Sequence, residues 1–302
     1  MKILVTGGTG FVGGALTGHL ARAGHEVLVP SRSAHDRREV HSGIRLIEGD
    51  PNFPGEWQDA AAEVQAVVNL AGASIFTRWT GEARQRIIDS RLDTTRHLVQ
   101  ALARQPDPDK VLLNASAVGY YGFRGDEDLD ESGRPGHDFL SQVTQAWEAE
   151  ALKAEAAGVR VGLMRFGVVL APDGGALGRM LPLFRRGLGG PLGRGRQWFS
   201  WIHRQDLIRA TLLLLERPEA SGAFNFTAPN PIRNKELARV LGRVLKRPAF
   251  LPAPAFMIKL VLGEFGSVLL EGQKVLPRRL SEMGFEFRFP EINQALEDIL
   301  RA

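Results

Sequence analysis

The 302-residue chain has no cysteine, only two tyrosines and no apolar run long enough to span a membrane. The missing cysteines exclude disulfides, thiolate catalysis and cysteine-ligated zinc or iron–sulfur sites. Without a membrane span, and with a first strand predicted from residue 2, we expect no signal peptide, no membrane partner and a cytoplasmic location. The formal charge is only +4 and the arginines are dispersed, so we expect no nucleic-acid partner. No grouping of His, Asp and Glu has ligand spacing, which predicts no metal site.

The first residues of the chain predict a strand, a glycine-rich turn and a helix. Residues 3–5 are apolar, and residues 15–21 carry apolar side chains at helical spacing. Glycines between such elements let the backbone approach a pyrophosphate, which then faces the free N–H groups of the helix N-terminus. The pattern therefore predicts a dinucleotide site. The predicted cofactor contacts in this turn are Gly7, Gly10, Phe11, Val12 and Gly13.

Strand and helix patterns alternate through the first half of the chain. Further strands are predicted at residues 26–30, 44–48, 66–70, 110–114 and 160–165, and helices at residues 81–104 and 139–156. The alternation predicts an α/β fold, a Rossmann-type doubly wound parallel sheet with the cofactor over the carboxyl ends of its strands. The alternation stops near Leu170, where glycine- and proline-rich stretches begin. We therefore predict a cofactor-binding domain at residues 1–170, rejoined by Asp206 to Phe226, and a smaller C-terminal substrate lobe at residues 171–302.

The tip of the second strand selects between the two nicotinamide dinucleotides. An acidic residue there would bind the 2′-hydroxyl of NAD and repel a 2′-phosphate. This chain has Ser31 and Arg32 instead, and a guanidinium binds a phosphate bidentately. NADP(H) is therefore the predicted cofactor. Arg37 and Arg38 are interpreted either as further phosphate contacts or as a solvated loop.

The fourth strand ends in small residues that admit a flat ligand at close range. The predicted cofactor contacts here are Asn69, Leu70, Ala71 and Gly72. Asn69 is also expected to brace the strands through side-chain hydrogen bonds. Simple tight packing is the alternative interpretation of Ala71 and Gly72, because a glycine at a strand end is often only a turn.

Further motifs are spread over the whole chain: Arg78-Trp79, Ser90-Arg91, residues 116–122, Trp147-Glu148, Gly189-Gly190, residues 201–203 with Asp206, and residues 272–277. With the glycine turn, they resemble the extended, epimerase-like branch of the short-chain dehydrogenase/reductase superfamily, and within it the atypical NADP-binding epimerase family proteins. The resemblance implies hydride transfer to or from a carbonyl or secondary alcohol of a small molecule, nucleotide-sugar-like or otherwise anionic. We expect further cofactor contacts at Arg91, Phe166 and Val168, in a monomer or homodimer.

The chain departs from the superfamily at its catalytic pair. Ordinary members carry Tyr-x-x-x-Lys on the helix after the fifth strand, and residues 139–148 contain neither residue. Ser116 matches the superfamily's substrate-orienting hydroxyl. Tyr120 or Tyr121 is the predicted proton donor, assisted by Arg124 or by the cofactor's ribose. If both tyrosines only pack against the cofactor or line the cleft, the alternative is a non-catalytic NADP(H)-binding sensor or interaction protein.

Several conspicuous residues have a structural interpretation. Trp147 is expected in the core or the cleft wall, and Glu148 is expected to pair with an arginine. Asp206 is the predicted cap of the helix that follows His203, which favours a structural histidine over a general base. The arginines that flank the glycine-rich residues 187–195 are interpreted as solvated surface or as an anion-binding loop: Arg185, Arg186, Arg194 and Arg196.

Overall fold

The computed structural model describes residues 1–33 and 42–301, so Arg37 and Arg38 lie outside the described residues. The strands are β1 (Lys2–Thr6), β2 (Glu26–Ser31), β3 (Ile44–Glu48), β4 (Ala66–Asn69), β5 (Val111–Ala117), β6 (Asp128–Leu129), β7 (Arg160–Phe166), β8 (Val168–Leu170), β9 (Trp198–Phe199), β10 (Trp201–His203), β11 (Gly222–Phe226), β12 (Ile232–Arg233) and β13 (Lys274–Val275).

The helices are α1 (Gly13–Arg22), α2 (Trp57–Glu63), α3 (Gly81–Ala103), α4 (Phe139–Leu152), α5 (Gly175–Arg185), α6 (Arg204–Glu216), α7 (Asn234–Leu245), α8 (Ala255–Leu262), α9 (Glu264–Leu269), α10 (Arg278–Glu282) and α11 (Ile292–Arg301). Short 3-10 helices cover Val118–Tyr121 and Lys153–Ala157. Among the described residues, no helix is both long and apolar enough to cross a membrane.

The central sheet places its strands in the order β11-β7-β5-β4-β1-β2-β3, which makes seven strands in the described residues. Every neighbouring pair is parallel. The predicted doubly wound α/β fold is thereby confirmed. The chain builds outwards from β1 in one direction through β3, then returns to β4 and builds in the other. The switch between β1 and β4 opens a crevice at the carboxyl ends of the strands, where this fold class binds its ligands.

Helices cover both faces of the sheet because side chains alternate along each strand. Ile3 and Val5 of β1 join a core with α1 and α6, whereas Leu4 joins a core with α2, α3 and α4. A separate core lies in the C-terminal part, where α5, α7 and α11 pack around Trp201. Strand β11 returns to the sheet beside β7. The domain boundary at residue 170 stays a prediction.

One strand runs further than its sequence pattern predicts. The apolar pattern ends at Asn114, yet β5 continues to Ala117. The strand continues because the polar side chains of Asn114 and Ser116 are buried and find hydrogen-bond partners inside the protein.

Candidate cofactor and active site

The glycine turn after β1 leaves too little room for a Cβ at three of its glycines, Gly7, Gly8 and Gly13. Gly7 has a φ of 65°, and a Cβ there would lie 2.8 Å from the carbonyl oxygen of Leu70. A Cβ on Gly13 would lie 2.1 Å from the carbonyl oxygen of Gly7. Gly10 is less constrained, with a Cβ distance of 3.2 Å to that same oxygen. The turn therefore brings the start of α1 directly against the end of β4.

Helix α1 begins without a side-chain cap. Its N-cap residue is Val12, and within the described residues no side chain accepts a hydrogen bond from the first helical N–H groups. Such an N-terminus at a sheet's switch point offers backbone donors and a positive dipole end to an anion. The geometry fits the pyrophosphate of a dinucleotide.

Phe11, in the same turn, is held by the C-terminal part of the chain. Cβ atoms added to Gly174 and Gly175 would lie 2.8 and 2.9 Å from its ring. Arg204 donates to its carbonyl oxygen at 3.2 Å and lies 5.2 Å from its ring centre. Arg204 is itself fixed by Asp173 at 2.6 Å. The glycine turn and the start of α5 therefore pack against each other.

The tip of β2 carries a buried hydroxyl beside an exposed guanidinium. The Ser31 hydroxyl accepts a hydrogen bond from the N–H of Ser33 at 3.3 Å, and Arg32 is exposed to solvent. Neither side chain carries negative charge, so a 2′-phosphate meets no repulsion from either of them.

At the end of β4, Asn69 is fully buried and provides the bracing predicted for it. Its Oδ1 accepts from the Thr6 hydroxyl at 2.5 Å, and its Nδ2 donates to Asn114 Oδ1 at 2.7 Å and to the Thr95 hydroxyl at 2.9 Å. The hydroxyl of Thr95 also accepts from the Trp147 indole at 2.9 Å. We call these five side chains the neutral network. It ties β1, β4 and β5 to α3 and α4.

Arg91 reaches from α3 to the loop after β4. Its Nη1 donates to the carbonyl oxygens of Ile87 at 2.9 Å and Ala73 at 3.1 Å. A Cβ on Gly72 would lie 3.1 Å from its guanidinium carbon. Burial lowers the pKa of Arg91 to about 10, and no carboxylate among the described residues pairs with it. A half-buried cation without an acidic partner favours an anionic ligand at this edge.

Phe166 lies at the end of β7 and Val168 at the start of β8, and both are half-buried. The Phe166 ring packs 5.5 Å from Phe226 of β11. Gly167, between them, lies close to the backbone of Ser200, because a Cβ there would be 2.7 Å from the Ser200 carbonyl oxygen.

A second polar cluster, the charged network, links β5, β7, β11 and α4. Arg165 Nε and Nη2 donate to the two oxygens of Glu148, each at 2.8 Å, and both residues are buried. The Ser116 hydroxyl donates to Glu148 Oε1 at 2.6 Å. Arg165 Nη1 donates to the Tyr121 hydroxyl at 3.0 Å, and that hydroxyl donates to Asn225 Oδ1 at 2.7 Å. Burial acts to lower the pKa of Arg165, but Glu148 outweighs it and raises the pKa.

The two tyrosines lie in different environments. Tyr121 is fully buried, and burial raises its pKa to about 12 against the opposing effect of Arg165. This environment favours a structural role for its hydroxyl. Tyr120 is half-exposed, and the Arg165 guanidinium lies 3.5 Å from the centre of its ring. Arg124 contacts neither hydroxyl, because it donates to the carbonyl oxygens of Tyr121 and Pro135.

Sequence reasoning missed Arg165 and Asn225. The signal for Arg165 was present: a charged residue follows the apolar residues 161–164 in a predicted buried strand. Such a charge requires a buried partner, and Glu148 was expected to pair with an arginine. Nothing local marks Asn225, because its partner Tyr121 lies 104 positions away.

His203 is buried, whereas the loop arginines are exposed. His203 is buried against Phe289, with ring centres 3.9 Å apart, and burial lowers its pKa. The prediction that Asp206 caps α6 is wrong, since His203 is the N-cap and its Nδ1 accepts from the N–H of Gln205. The carboxylate of Asp206 instead accepts from the N–H groups of Arg288 and Phe289, which a loop distant in sequence supplies.

Four loop arginines are exposed to solvent: Arg185, Arg186, Arg194 and Arg196.

Comparison with known proteins extends these observations to the whole chain. The model described as the NAD dependent epimerase/dehydratase family matches residues 3–226, and a domain of unknown function, DUF1731, matches residues 253–299. The chloroplastic epimerase family protein SDR39U1 homologue of Arabidopsis thaliana is 43% identical over 310 residues, covering 100% of this chain and 87% of that protein. Epimerase family protein YfhF of Bacillus subtilis is 37% identical over 301 residues, covering 99% and 98%.

A solved structure is similar over the same length. The crystal structure of human epimerase family protein SDR39U1 with NADPH superposes with a TM-score of 0.88 at 38% identity, covering 100% of this chain and 99% of that one.

Proposed function

Since this chain belongs to the NAD dependent epimerase/dehydratase family, we propose that it is an NADP(H)-dependent oxidoreductase or epimerase-like enzyme acting on a carbonyl or secondary alcohol. The observation that carries the proposal is the charged network. It places a serine hydroxyl, a tyrosine and a buried guanidinium at the carboxyl end of β5 and β7. Strand β5 is two strands away from β1, or about 10 Å from the glycine turn.

The residues of the crevice fit NADP(H) on three counts. The glycine turn and the uncapped N-terminus of α1 suit a pyrophosphate. Ser31 and Arg32 suit a 2′-phosphate, because neither repels it and the guanidinium attracts it. Arg91 offers a second cation, beside Gly72. Asn69 stabilises the end of β4 beside this site, because its amide is hydrogen-bonded within the neutral network.

The bound nicotinamide supplies or takes up the hydride. Tyr120 donates the proton to the carbonyl oxygen as that oxygen gains negative charge, and takes the proton back in the oxidation direction. The guanidinium of Arg165 lies over the ring of Tyr120 and holds that ring in position.

Ser116 and Tyr121 support this chemistry in different ways. Because the hydroxyl hydrogen of Ser116 is committed to Glu148, its oxygen is free to accept a hydrogen bond from a substrate hydroxyl. The hydroxyl of Tyr121 holds Arg165 in place from the opposite side of the Glu148 pair. We therefore assign proton transfer to Tyr120 and a positioning role to Tyr121.

Turnover tests the proposal directly. Purified protein is mixed with NADPH and a panel of aldehydes, ketones and keto-sugars, and oxidation is followed by the loss of nicotinamide absorbance. An enzyme consumes many equivalents of NADPH per protein. Tight NADPH binding without turnover, on the panel and on a metabolite extract, contradicts the proposal.

That contradictory result would favour the second candidate, a non-catalytic NADP(H)-binding sensor or interaction protein. The observation behind this candidate lies on α4, where Trp147 and Glu148 both make buried structural contacts and no Tyr-x-x-x-Lys pair exists. A sensor of this kind binds the reduced and oxidised cofactors with different affinities, which calorimetry measures without a substrate.

The preference for NADP(H) has its own test. We expect NADPH to bind more tightly than NADH, and Arg32→Ala to remove most of that difference, about tenfold, because one charge-assisted phosphate contact is lost. Arg217→Ala is the matched control, since this exposed arginine follows α6 at the opposite end of the sheet from the crevice. Equal affinity for NADPH and NADH in the wild-type protein contradicts the assignment.

A further inference from the structure

Helix α8 exposes a row of large apolar side chains to solvent. Phe256 is 69% exposed and Leu260 is 74% exposed, with Met257 and Val261 beside them. These four lie at helical spacings i, i+1, i+4 and i+5, so they share one face of α8. Only Ile258 of this helix is buried. Contiguous exposed apolar side chains of this kind mark an interaction surface.

A shallow basic pocket precedes this helix in the chain. It is lined by Arg239, Arg243, Lys246 and Arg247, with the 74%-exposed Phe250 at its edge. Four residues separate Phe250 from Ala255 at the start of α8, so these two residues lie within about 18 Å of each other. We call the pocket and the exposed row of α8 together the basic–apolar face.

The charge of this face is mainly positive, with Glu236 and Glu264 at its two ends in the sequence. Residues 237–263 contain five basic side chains and no acidic one. Residues 185–196 contain four arginines and no acidic residue, and they pack against this segment: a Cβ on Gly187 would lie 3.2 Å from Pro248, and the N–H of Gly193 donates to the carbonyl oxygen of Ala253 at 2.9 Å. The chain as a whole has a charge of only +4. The two segments next to and including the exposed apolar helix are therefore more basic than the chain as a whole.

Although the sequence led us to expect no membrane partner, we propose that the basic–apolar face attaches the protein to the surface of an anionic lipid bilayer, without crossing it. The apolar row of α8 enters the boundary between headgroups and acyl chains, and the surrounding cations contact anionic headgroups. A second copy of the chain fits less well, because a two-fold contact at this face brings the two sets of cations together. The proposal is independent of the cofactor and of turnover.

Vesicle co-sedimentation tests it, using phosphatidylcholine vesicles with and without phosphatidylglycerol. We expect binding to the anionic vesicles that weakens as salt is raised, and little binding to the neutral ones. Leu260→Glu should lower the partition coefficient at least about tenfold, because it places a carboxylate in the apolar row. The double change Arg239→Gln with Arg243→Gln should lower it by about tenfold or more.

Matched controls distinguish binding through this face from nonspecific adsorption to vesicles. Phe53→Glu replaces an equally exposed aromatic side chain (66% exposed) on the other part of the molecule, and Arg301→Gln removes an exposed cation from α11. Both should bind vesicles like the wild type, and thermal unfolding checks that every variant is folded. Equal binding to neutral and anionic vesicles, no vesicle binding, or wild-type binding by Leu260→Glu would overturn the proposal. So would a dimer, detected by light scattering without lipid, that Leu260→Glu dissociates.

Discussion

The neutral network and the charged network lie side by side at the carboxyl end of the sheet, and they are built differently. Around Asn69, hydroxyl, amide and indole groups join β1, β4 and β5 without any charge. Around Glu148 and Arg165, a bidentate ion pair joins β5, β7 and α4. Both are buried and both satisfy their hydrogen bonds, so both make the edge of the sheet rigid.

The two networks differ in their desolvation penalty and in the chemistry that their charges allow. Burying an ion pair carries a large desolvation penalty, and apolar side chains of similar size often fold at least as well. The neutral network avoids that penalty at the end of the sheet where we propose the cofactor's phosphates bind. The charged network carries that desolvation penalty beside Tyr120, where we propose that proton transfer takes place. We infer that Arg165 and Glu148 serve chemistry as well as stability.

Removing one member of the ion pair should have the largest effect. Glu148→Ala leaves Arg165 buried without its carboxylate, and we expect the free energy of unfolding to fall by about 3–5 kcal/mol. Denaturant unfolding measures it. Asn69→Ala is the matched change in the neutral network, where lost neutral hydrogen bonds should cost about 1–3 kcal/mol.

A double variant sharpens that comparison. Glu148→Leu combined with Arg165→Met removes both charges, so most of the lost stability should return while turnover does not. If Glu148→Ala proves no more costly than Asn69→Ala, the distinction between the two networks is wrong.

The next largest effect concerns Tyr120. Tyr120→Phe keeps the ring against Arg165 and removes the hydroxyl, so turnover should fall by about 10²-fold with NADPH affinity nearly unchanged. Steady-state kinetics with a substrate from the panel measures this. Tyr121→Phe is the comparison variant: it removes a hydrogen bond that positions Arg165 but leaves the proposed proton donor in place, so turnover should fall less than in Tyr120→Phe. A wild-type rate in Tyr120→Phe would move the proton donor elsewhere, with Ser116 examined next.

The smallest effect is a pH dependence that Tyr121 introduces. Burial raises the pKa of Tyr121 from 10.0 to about 12, so the folded protein retains this proton longer than the unfolded chain does. Its contribution to stability is complete below pH 10 and is lost as the pH rises towards 12. Between pH 9 and pH 11, the wild type should lose about 1 kcal/mol more than Tyr121→Phe in urea unfolding. Parallel pH profiles for the two proteins would show that the phenol titrates alike in both states.

Much of the fold was predictable because its signals are local. The apolar residues of β1 and the helical spacing in α1 and α3 lie within single elements, so no knowledge of distant contacts was needed. The glycine turn was predictable for the same reason, since Gly7 and Gly13 meet within one strand-to-helix connection. The true end of β5 was not predictable, because its polar residues are satisfied only by other strands and by α4.

The same distinction between local signals and distant contacts applies to the candidate active site. The sequence by itself determined the class of fold, the cofactor turn and the absence of a Tyr-x-x-x-Lys pair, since each is written in contiguous residues. Only the tertiary structure decided that Tyr121 is buried and Tyr120 is not, although the two are adjacent in the chain. It also decided that Arg165 would meet Glu148 from α4 and Tyr121 from the loop after β5. The physical reason is that hydrogen bonds and desolvation depend on neighbours brought together by sheet pairing, and strand order is not encoded in any single segment.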